Sequence, residues 1–521
     1  MKLESVPRIL ENLMSGIWLN IGCGKKHING FVNMDIEKPY DKKLDARKGL
    51  PYSEQTVDGI YSEHFFEHLT QAEGLGFLRE CRRILKPGGV VRIAMPDLDE
   101  VVSRYVSKDW RGDGDMFKLG YDWVANRCEM LNIGMREWGH KHVYNEEELT
   151  RIAQMAGLEP TKRCEHSKSD IPMLAGRETR NSTKLIIEFI VPDRSVSSAP
   201  LVSVLIPAFR ATWFKQSLLS ALSQTYQNIE ILISDDSPNE DIQQIVKSET
   251  QGNSRVTYIR NNPPLGAMGN FLNCYSRAKG EFIKFLNDDD LLAPSCIEKM
   301  LHAFREHPSV TLVTSYRKRI DVVGKQLIDV PANRLLVRQD SELEGISCAN
   351  ALLSHKVNFI GEPTTVMFRK LDLIWVKPHL ATFGGASAVG AGDMAMWINL
   401  LGRGNAFYIV EPLSSFRIHA GQRQYEQSVQ VGVQKTWANF NLHGKRLGYM
   451  PTRTAWFLKR RCAGGDGWEV MQLITTQPFY RSHFIGISNR FRSFARRILG
   501  QRIWNILRRM LGRGISKNEA E

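Results

Sequence analysis

The stretch FIKFLNDDDLL, residues 282–292, sets the strongest limit on how this chain can fold. Phe282, Ile283, Phe285 and Leu286 make its start almost continuously apolar, as in a strand buried on both faces of a parallel sheet. Asp288, Asp289 and Asp290 follow where that strand leaves the sheet. Taken alone, three successive aspartates mark a solvated turn. Fixed at the end of a buried strand, they repel one another unless a cation sits among them. Hard oxygen ligands suit Mg²⁺ or Mn²⁺, which keep open positions for the oxygens of a diphosphate. The expectation is a parallel α/β domain with a metal-diphosphate site at its carboxyl edge.

At 521 residues the chain is too long for one ordinary core, so two or more domains are expected. Its eight cysteines are scattered without a CxxC pair, which speaks against a structural zinc site or a disulfide framework and suits a reducing, cytoplasmic setting. No apolar run approaches the roughly 18 residues that span a bilayer. The net charge of +13 is uneven, since no acidic residue lies between Glu469 and Glu519. The basic surplus is therefore a property of the C-terminal end.

Residues 1–192 read as alternating strands and helices. IWLNIGCG (17–24) is an apolar strand running into a Gly-Cys-Gly turn, where glycines let the backbone approach a ligand. FVNMD is a second strand ending at Asp35, where doubly wound folds bind ribose hydroxyls. VDGIYSEHFFEHL (57–69), RECRRILKPGG (79–89) and VVRIAMPD continue the series. In this order the motifs resemble class I S-adenosylmethionine-dependent methyltransferases over nearly the whole segment. The resemblance implies that Gly22, Cys23 and Gly24 line the methionine portion of S-adenosylmethionine, Asp35 binds its ribose, Asp45 approaches the adenine, and Glu63 and His64 stand at the pocket mouth. A sulfonium methyl is already activated, so the protein mainly aligns an acceptor and removes its proton. His64, His68, His140 and His142 are candidates for that base.

DRSVSSA (193–199) is short and polar and reads as a linker. Strand and helix then alternate again through LVSVLIPAF, WFKQSLLSALSQTY, IEILISDD, VTYIRNN and GNFLNCYSRAKG up to the aspartate stretch. Ligands of such sheets lie at the strands' carboxyl ends, so Phe209, Asp235, Asp236 and Asp288 to Asp290 should converge.

Residues 200–424 resemble glycosyltransferase family 2, with its GT-A fold. The likeness implies that Pro207, Ala208 and Phe209 lie beside a nucleotide base, that Asp235 and Asp236 bind base or ribose, and that Gly266 and Asn270 complete the nucleotide-sugar site. It places the metal on NDDD, where Asn287 replaces a commoner aspartate, with Asp288 and Asp290 favoured and Asp289 close behind. Asp393, in GDMAMWINLLGRG, falls where the family has its catalytic base, and His419, in EPLSSFRIHAGQ, completes the metal or diphosphate site. GEPTTVMFRK would line the acceptor side.

Residues 425–521 read as a basic helical tail. Within it, 490–513 carry Phe491, Phe494, Ile498, Ile503, Ile506, Leu507 and Met510 near helical spacing among arginines, as in a helix lying on an anionic membrane surface or, equally, one that caps the second domain or pairs with another subunit. The combined expectation is an α/β chain with two doubly wound nucleotide-binding domains and two activities. One is inverting, metal-dependent transfer from a nucleotide-sugar donor to a surface-polysaccharide, O-antigen or lipid-linked acceptor; the other is methylation of a glycan. One alternative has an N-terminal domain that only binds cofactor or serves as a scaffold. Another, a nucleic-acid methyltransferase with a basic tail, leaves the aspartate stretch and Asp393 without a role.

Overall fold

In a computed structural model of the chain, residues 16–108, 110–111, 120–449, 457–463, 465 and 467–472 are described. The first apolar run forms β1 (Trp18–Ile21), buried along its whole length. Around it assemble β2 (Val32–Asp35), β3 (Lys42–Lys43), β4 (Val57–Glu63), β5 (Leu85–Met95), β6 (Glu159–Arg163) and β7 (Leu185–Ile190), in the order β3-β2-β1-β4-β5-β7-β6. β7 runs antiparallel to both of its neighbours and the other pairs are parallel. Strand order reverses direction between β1 and β4, which opens a crevice at their carboxyl ends. Helix α1 (Gln71–Ile84) starts at Thr70 with a reciprocal capping box to Glu73. Further α-helices among the described residues of this half are α2 (Leu98–Val106), α3 (Arg127–Arg136) and α4 (Glu146–Met155).

The second half opens with β8 (Val202–Ala208), α5 (Ala211–Leu222), β9 (Ile229–Asp235), α6 (Asp241–Thr250), β10 (Val256–Arg260), α7 (Gly266–Arg277) and β11 (Phe282–Phe285). The four strands pair in parallel in the order β10-β9-β8-β11. Order again reverses between β8 and β11, so the aspartate stretch leaves the sheet beside Phe209. Lys284 interrupts the apolar pattern of β11 yet is fully buried, because its Nζ donates to the carbonyl of Thr364 at 2.6 Å. Burial pushes its pKa below the usual lysine value. The sheet continues through β12 (Leu291–Leu292), before α8 (Cys296–Glu306), and, after that helix, through β13 (Val310–Ile320), β14 (Ser341–Leu343), β15 (Met367–Arg369) and β18 (Asn405–Arg417). β16 (Thr382–Phe383) and β17 (Ala386–Ser387) form a separate hairpin before α10 (Gly392–Arg403), and α9 (Gly345–His355) precedes them.

The segment read as a helical tail is only partly helical. After α11 (Gln427–Arg446), β19 (Phe457–Cys462) and β20 (Glu469–Gln472) add two strands to the second sheet through β14. The reason is local charge. Burial pushes the Glu342 carboxyl up, but hydrogen bonds from His307, Ser309, Arg461 and Asn405 bring it down to about 2. Arg461 on β19 supplies the cation at 2.6 Å. The amphipathic stretch 490–513 lies outside the described residues.

The two halves are locked together, and the expected linker is part of the lock. Arg194 is buried and donates to Asp372 at 3.0 Å. Arg403, 1% exposed at the end of α10, reaches back into the first half to donate to Glu159 and to the carbonyl of Gln154. Gly157, at φ +85°, makes the approach possible, since a Cβ there would stand 2.6 Å from the Arg403 carbonyl oxygen. Arg79 donates to Tyr449 at 2.7 Å and Arg446 to Gln71 at 3.0 Å across the same seam. Arg403→Met leaves Glu159 without its cation and the Gln154 carbonyl without its donor, while Asp372 keeps Arg194, so we expect a loss of about 3 kcal/mol of stability, read as an earlier midpoint in urea unfolding.

Candidate active sites

In the second half, the ends of β8, β9 and β11 meet as the sequence predicts, although the aspartates differ in what they do. Asp288 Oδ2 accepts from the backbone N–H groups of Phe209 and Arg210, both at 2.7 Å, and so caps α5 from outside its own chain segment. Burial and the neighbouring Asp289 push its pKa up to about 6. Asp289 Oδ2 pairs with His419 Nε2 at 2.9 Å, and the His419 ring packs on Trp213 with centroids 4.5 Å apart. Asp290 has no exposed surface; it accepts from Arg417 N at 3.0 Å, Asn287 Nδ2 at 2.9 Å and Thr364 Oγ1 at 2.7 Å. Both Asp290 oxygens are thus committed to the fold. Among the described residues nothing donates to Oδ1 of Asp288 or Asp289, so the uncommitted carboxylate oxygens of this turn belong to Asp288 and Asp289.

The same division separates Asp235 from Asp236. Asp235, the last residue of β9, is fully buried and accepts from Ser237 N at 2.7 Å, Tyr258 at 2.7 Å and Arg260 at 3.0 Å. Both of its oxygens are engaged within the protein, where they brace the turn after β9. Asp236 Oδ1 accepts from Asn261 at 2.7 Å and from Leu265 N at 3.1 Å, holding the loop that leads into α7. Asn270 is buried too, donating to the Ala208 carbonyl at 3.0 Å, so it ties α7 to β8 as a support. Pro207 is partly buried, and Phe209, 52% exposed, offers its ring to solvent. Gly266, at φ +71°, has nothing within 4 Å of where a Cβ would stand.

Asp393 lies in the first turn of α10. Its Oδ2 accepts from Asn358 Nδ2 at 2.8 Å and its Oδ1 from Met394 N at 2.8 Å. Burial pushes its pKa up to about 6, with the charge of Glu362 adding to the rise. Glu362 acts on Asp290 in the same direction, so the GEPTT segment carries charge to both carboxylates. Thr364 in that segment bonds Asp290, which makes it a brace between the aspartate turn and the region of Asp393. Asn358, Thr364 and Arg417 were not singled out by the sequence. Arg417, buried beside the acidic turn, donates to the Asp289 carbonyl at 2.8 Å, and its place next to His419 in FRIH was the available signal.

In the first half, Gly22 and Gly24 adopt φ of +72° and +50°. A Cβ at Gly22 would strike Phe65 at 2.5 Å, whereas nothing stands within 4 Å of one at Gly24, so the turn is open on one side. Gly24 N donates to Asp35 Oδ2 at 2.8 Å, bringing the expected ribose ligand to the glycine turn. Burial, with Asp35 nearby, pushes the Cys23 thiol up to about 11. Asp45 instead pairs with Arg47, at 2.8 and 2.9 Å, which brings its carboxyl down to about 2. Glu63 accepts from Thr179 N, Thr179 Oγ1 and Thr183 Oγ1 at 2.8 to 2.9 Å, so it anchors the 179–183 loop over the crevice. His64, with φ +50°, bonds Thr183 through Nε2 at 2.9 Å. Burial lowers the pKa of His140 and of His142.

A family model described as Glycosyl transferase family 2 matches residues 203–358, and one described as Methyltransferase domain matches residues 31–93. A GalNAc(5)-diNAcBac-PP-undecaprenol beta-1,3-glucosyltransferase of Campylobacter jejuni is 28% identical over 48% of this chain and 72% of that protein. An Escherichia coli UDP-Glc:alpha-D-GlcNAc-diphosphoundecaprenol beta-1,3-glucosyltransferase, WfaP, is 28% identical over 42% of this chain and 78% of its own length. An uncharacterized Mycobacterium tuberculosis protein is 29% identical over 41% of this chain, which spans 66% of that protein, just under two thirds. With two doubly wound sheets bearing separate sites, the chain joins an N-terminal methyltransferase domain to a glycosyl transferase family 2 domain.

Proposed function

We propose that this chain transfers a sugar from a nucleoside-diphosphate donor to a lipid-diphosphate-linked or surface-glycan acceptor and methylates a glycan from S-adenosylmethionine. The observation that carries the first part is the edge where β8 and β11 meet, with Asp288 and Asp289 each keeping an oxygen uncommitted beside His419. That donor set fits a hard divalent cation. Mg²⁺ or Mn²⁺ held there would neutralise charge on a departing diphosphate. Asp393, with its pKa near 6, is ionised at neutral pH and suited to take the proton of an acceptor hydroxyl. The acceptor oxygen bonds to the anomeric carbon as the bond to the diphosphate breaks, and a single displacement inverts that carbon. The acceptors in the names of the Campylobacter and Escherichia relatives support an undecaprenyl-diphosphate-linked acceptor here.

For the second part, the open Gly22–Gly24 turn with Asp35 beside it fits S-adenosylmethionine, whose sulfonium supplies an activated methyl group. The 179–183 loop is tied to the end of β4 by Glu63 and His64. Close by, Trp138 packs 5.6 Å from His140 and 5.3 Å from Tyr121, which in turn meets Trp123 at 5.9 Å. Trp123 and Trp138 are 62% and 45% exposed, and such open ring faces suit the C–H faces of a sugar. They support a glycan as the methyl acceptor.

The test is donor turnover. The purified chain is incubated with Mn²⁺ and a panel of UDP-, GDP- and dTDP-sugars, with EDTA as control. Release of nucleoside diphosphate from one donor, abolished by EDTA, is the expected result. Failure to bind any nucleoside diphosphate in the presence of metal, measured by calorimetry, would overturn the reading.

A further inference from the structure

In the turn that follows β4, Glu67 lies beside His68 and His140, two of the histidines that the sequence offers as candidate bases. Glu67 lies in a 3₁₀ turn, Phe66–His68, and has no exposed surface. Among the described residues, neither of its carboxylate oxygens receives a hydrogen bond. One oxygen of Glu67, one ring nitrogen of His68 and one of His140 all lie within 4.8 Å of one another. We propose that Glu67, His68 and His140 bind one divalent ion of borderline, zinc-like character.

A fully buried carboxylate that receives no hydrogen bond is unfavourable by several kcal/mol, and a bound cation removes that penalty. Two imidazoles and one carboxylate are a zinc-type set of three protein ligands with a fourth position open. Hard Mg²⁺ prefers oxygen ligands, so in excess it occupies the carboxylates of the aspartate turn before this two-histidine set.

The outer contacts are those of a built site. His140 Nδ1 lies 3.1 Å from the Gly134 carbonyl, which fixes that nitrogen as the N–H and leaves Nε2, the atom 3.9 Å from Glu67 Oε1, free to bind metal. The two contributing segments are pinned to one another by Lys141 N and His142 N, which donate to the Glu67 carbonyl at 2.8 and 3.2 Å. Ligand atoms about 2 Å from a tetrahedral ion stand about 3.3 Å apart, so the donors must draw in by up to about 1.5 Å on binding. His64 Nδ1 also stands 3.2 Å from Glu67 Oε1, and an ion pair there would neutralise the charge without metal. Use of the open position to acidify an acceptor hydroxyl rests on the methyl-transfer reading; the binding itself does not.

The test uses the untagged full chain, stripped with chelator and kept in excess Mg²⁺. Zn²⁺ is titrated against a chromophoric competitor, and Co²⁺ is added separately to record its visible absorption. The expected result is one zinc per chain and a ligand-field band of a low-coordinate cobalt site. Zinc affinity should fall at least about 10-fold in Glu67→Gln and in His140→Gln, and stay unchanged in Asp289→Asn. Circular dichroism identifies a variant that has not folded, in which case the other variant decides. No zinc bound by the wild-type chain, equal affinity in the folded variants, or loss of the site in Asp289→Asn would each overturn the proposal, the first in favour of the His64 ion pair.

Discussion

Asp393→Asn should lower the turnover number for sugar transfer by about 10³-fold while leaving donor KM within a factor of two, because the change removes a proton acceptor and no donor contact. The wild-type rate should also fall about tenfold for each pH unit below about 6, where the carboxylate becomes protonated. Stability runs the other way. The carboxyl is pushed up from 3.8 to about 6 in the folded protein, so the unfolded chain releases this proton more readily. Its contribution to stability is therefore greatest below pH 4 and is lost as pH rises through 6. Asp393→Asn has no proton to lose and should be more stable than wild type at pH 8, by about 1–3 kcal/mol, with the gap closing at low pH. Kinetics across pH 5–8 and urea unfolding at both ends check the two signs together. A variant that keeps wild-type turnover would remove Asp393 from the mechanism.

The aspartate turn gives the second large effect. Asp289→Asn keeps the shape of its side chain but removes a charge from the pair with His419, and Mn²⁺-dependent donor turnover should fall by about 10³-fold with the fold retained. Asp290→Ala should instead destabilise the domain by about 3 kcal/mol or more, since Arg417 N, Asn287 and Thr364 each lose a buried acceptor. Thermal melts separate the two variants, and calorimetry with Mn²⁺ and a nucleoside diphosphate tests the first. If Asp289→Asn binds both as the wild type does, the metal does not sit where we place it.

The contrast between Asp289 and Asp290 also marks where sequence reading stopped. The strand ends themselves were legible, because a buried parallel strand is an apolar run and its carboxyl end must carry any ligand. Which carboxylate faces outward was not. Asp235 ends a strand and turns inward to Tyr258 and Arg260, while Asp236 is directed to Asn261 on a loop whose path the local sequence does not determine. Asp290 is claimed by Thr364, 74 residues away, an interaction that no local pattern announces. Glu67 and His140 are likewise distant, although an acid and a histidine following two phenylalanines in EHFFEHL signal burial of charge. The strands of 457–472 were read as tail because the basic composition was visible and the buried Glu342 that draws Arg461 in was not.

Helix α10 carries Asp393 in its first turn and Arg403 in its last. At 1.5 Å per residue the two lie about 15 Å apart along one rod. The candidate base for sugar transfer is therefore mounted on the same rigid element that grips Glu159 and Gln154 in the methyltransferase domain. Gene fission between the two halves would expose that arginine, unseat the helix that aims the base, and leave neither daughter protein equivalent to its parent. A lineage that acquires this junction can lose either chemistry by point mutation, but it cannot readily discard the domain.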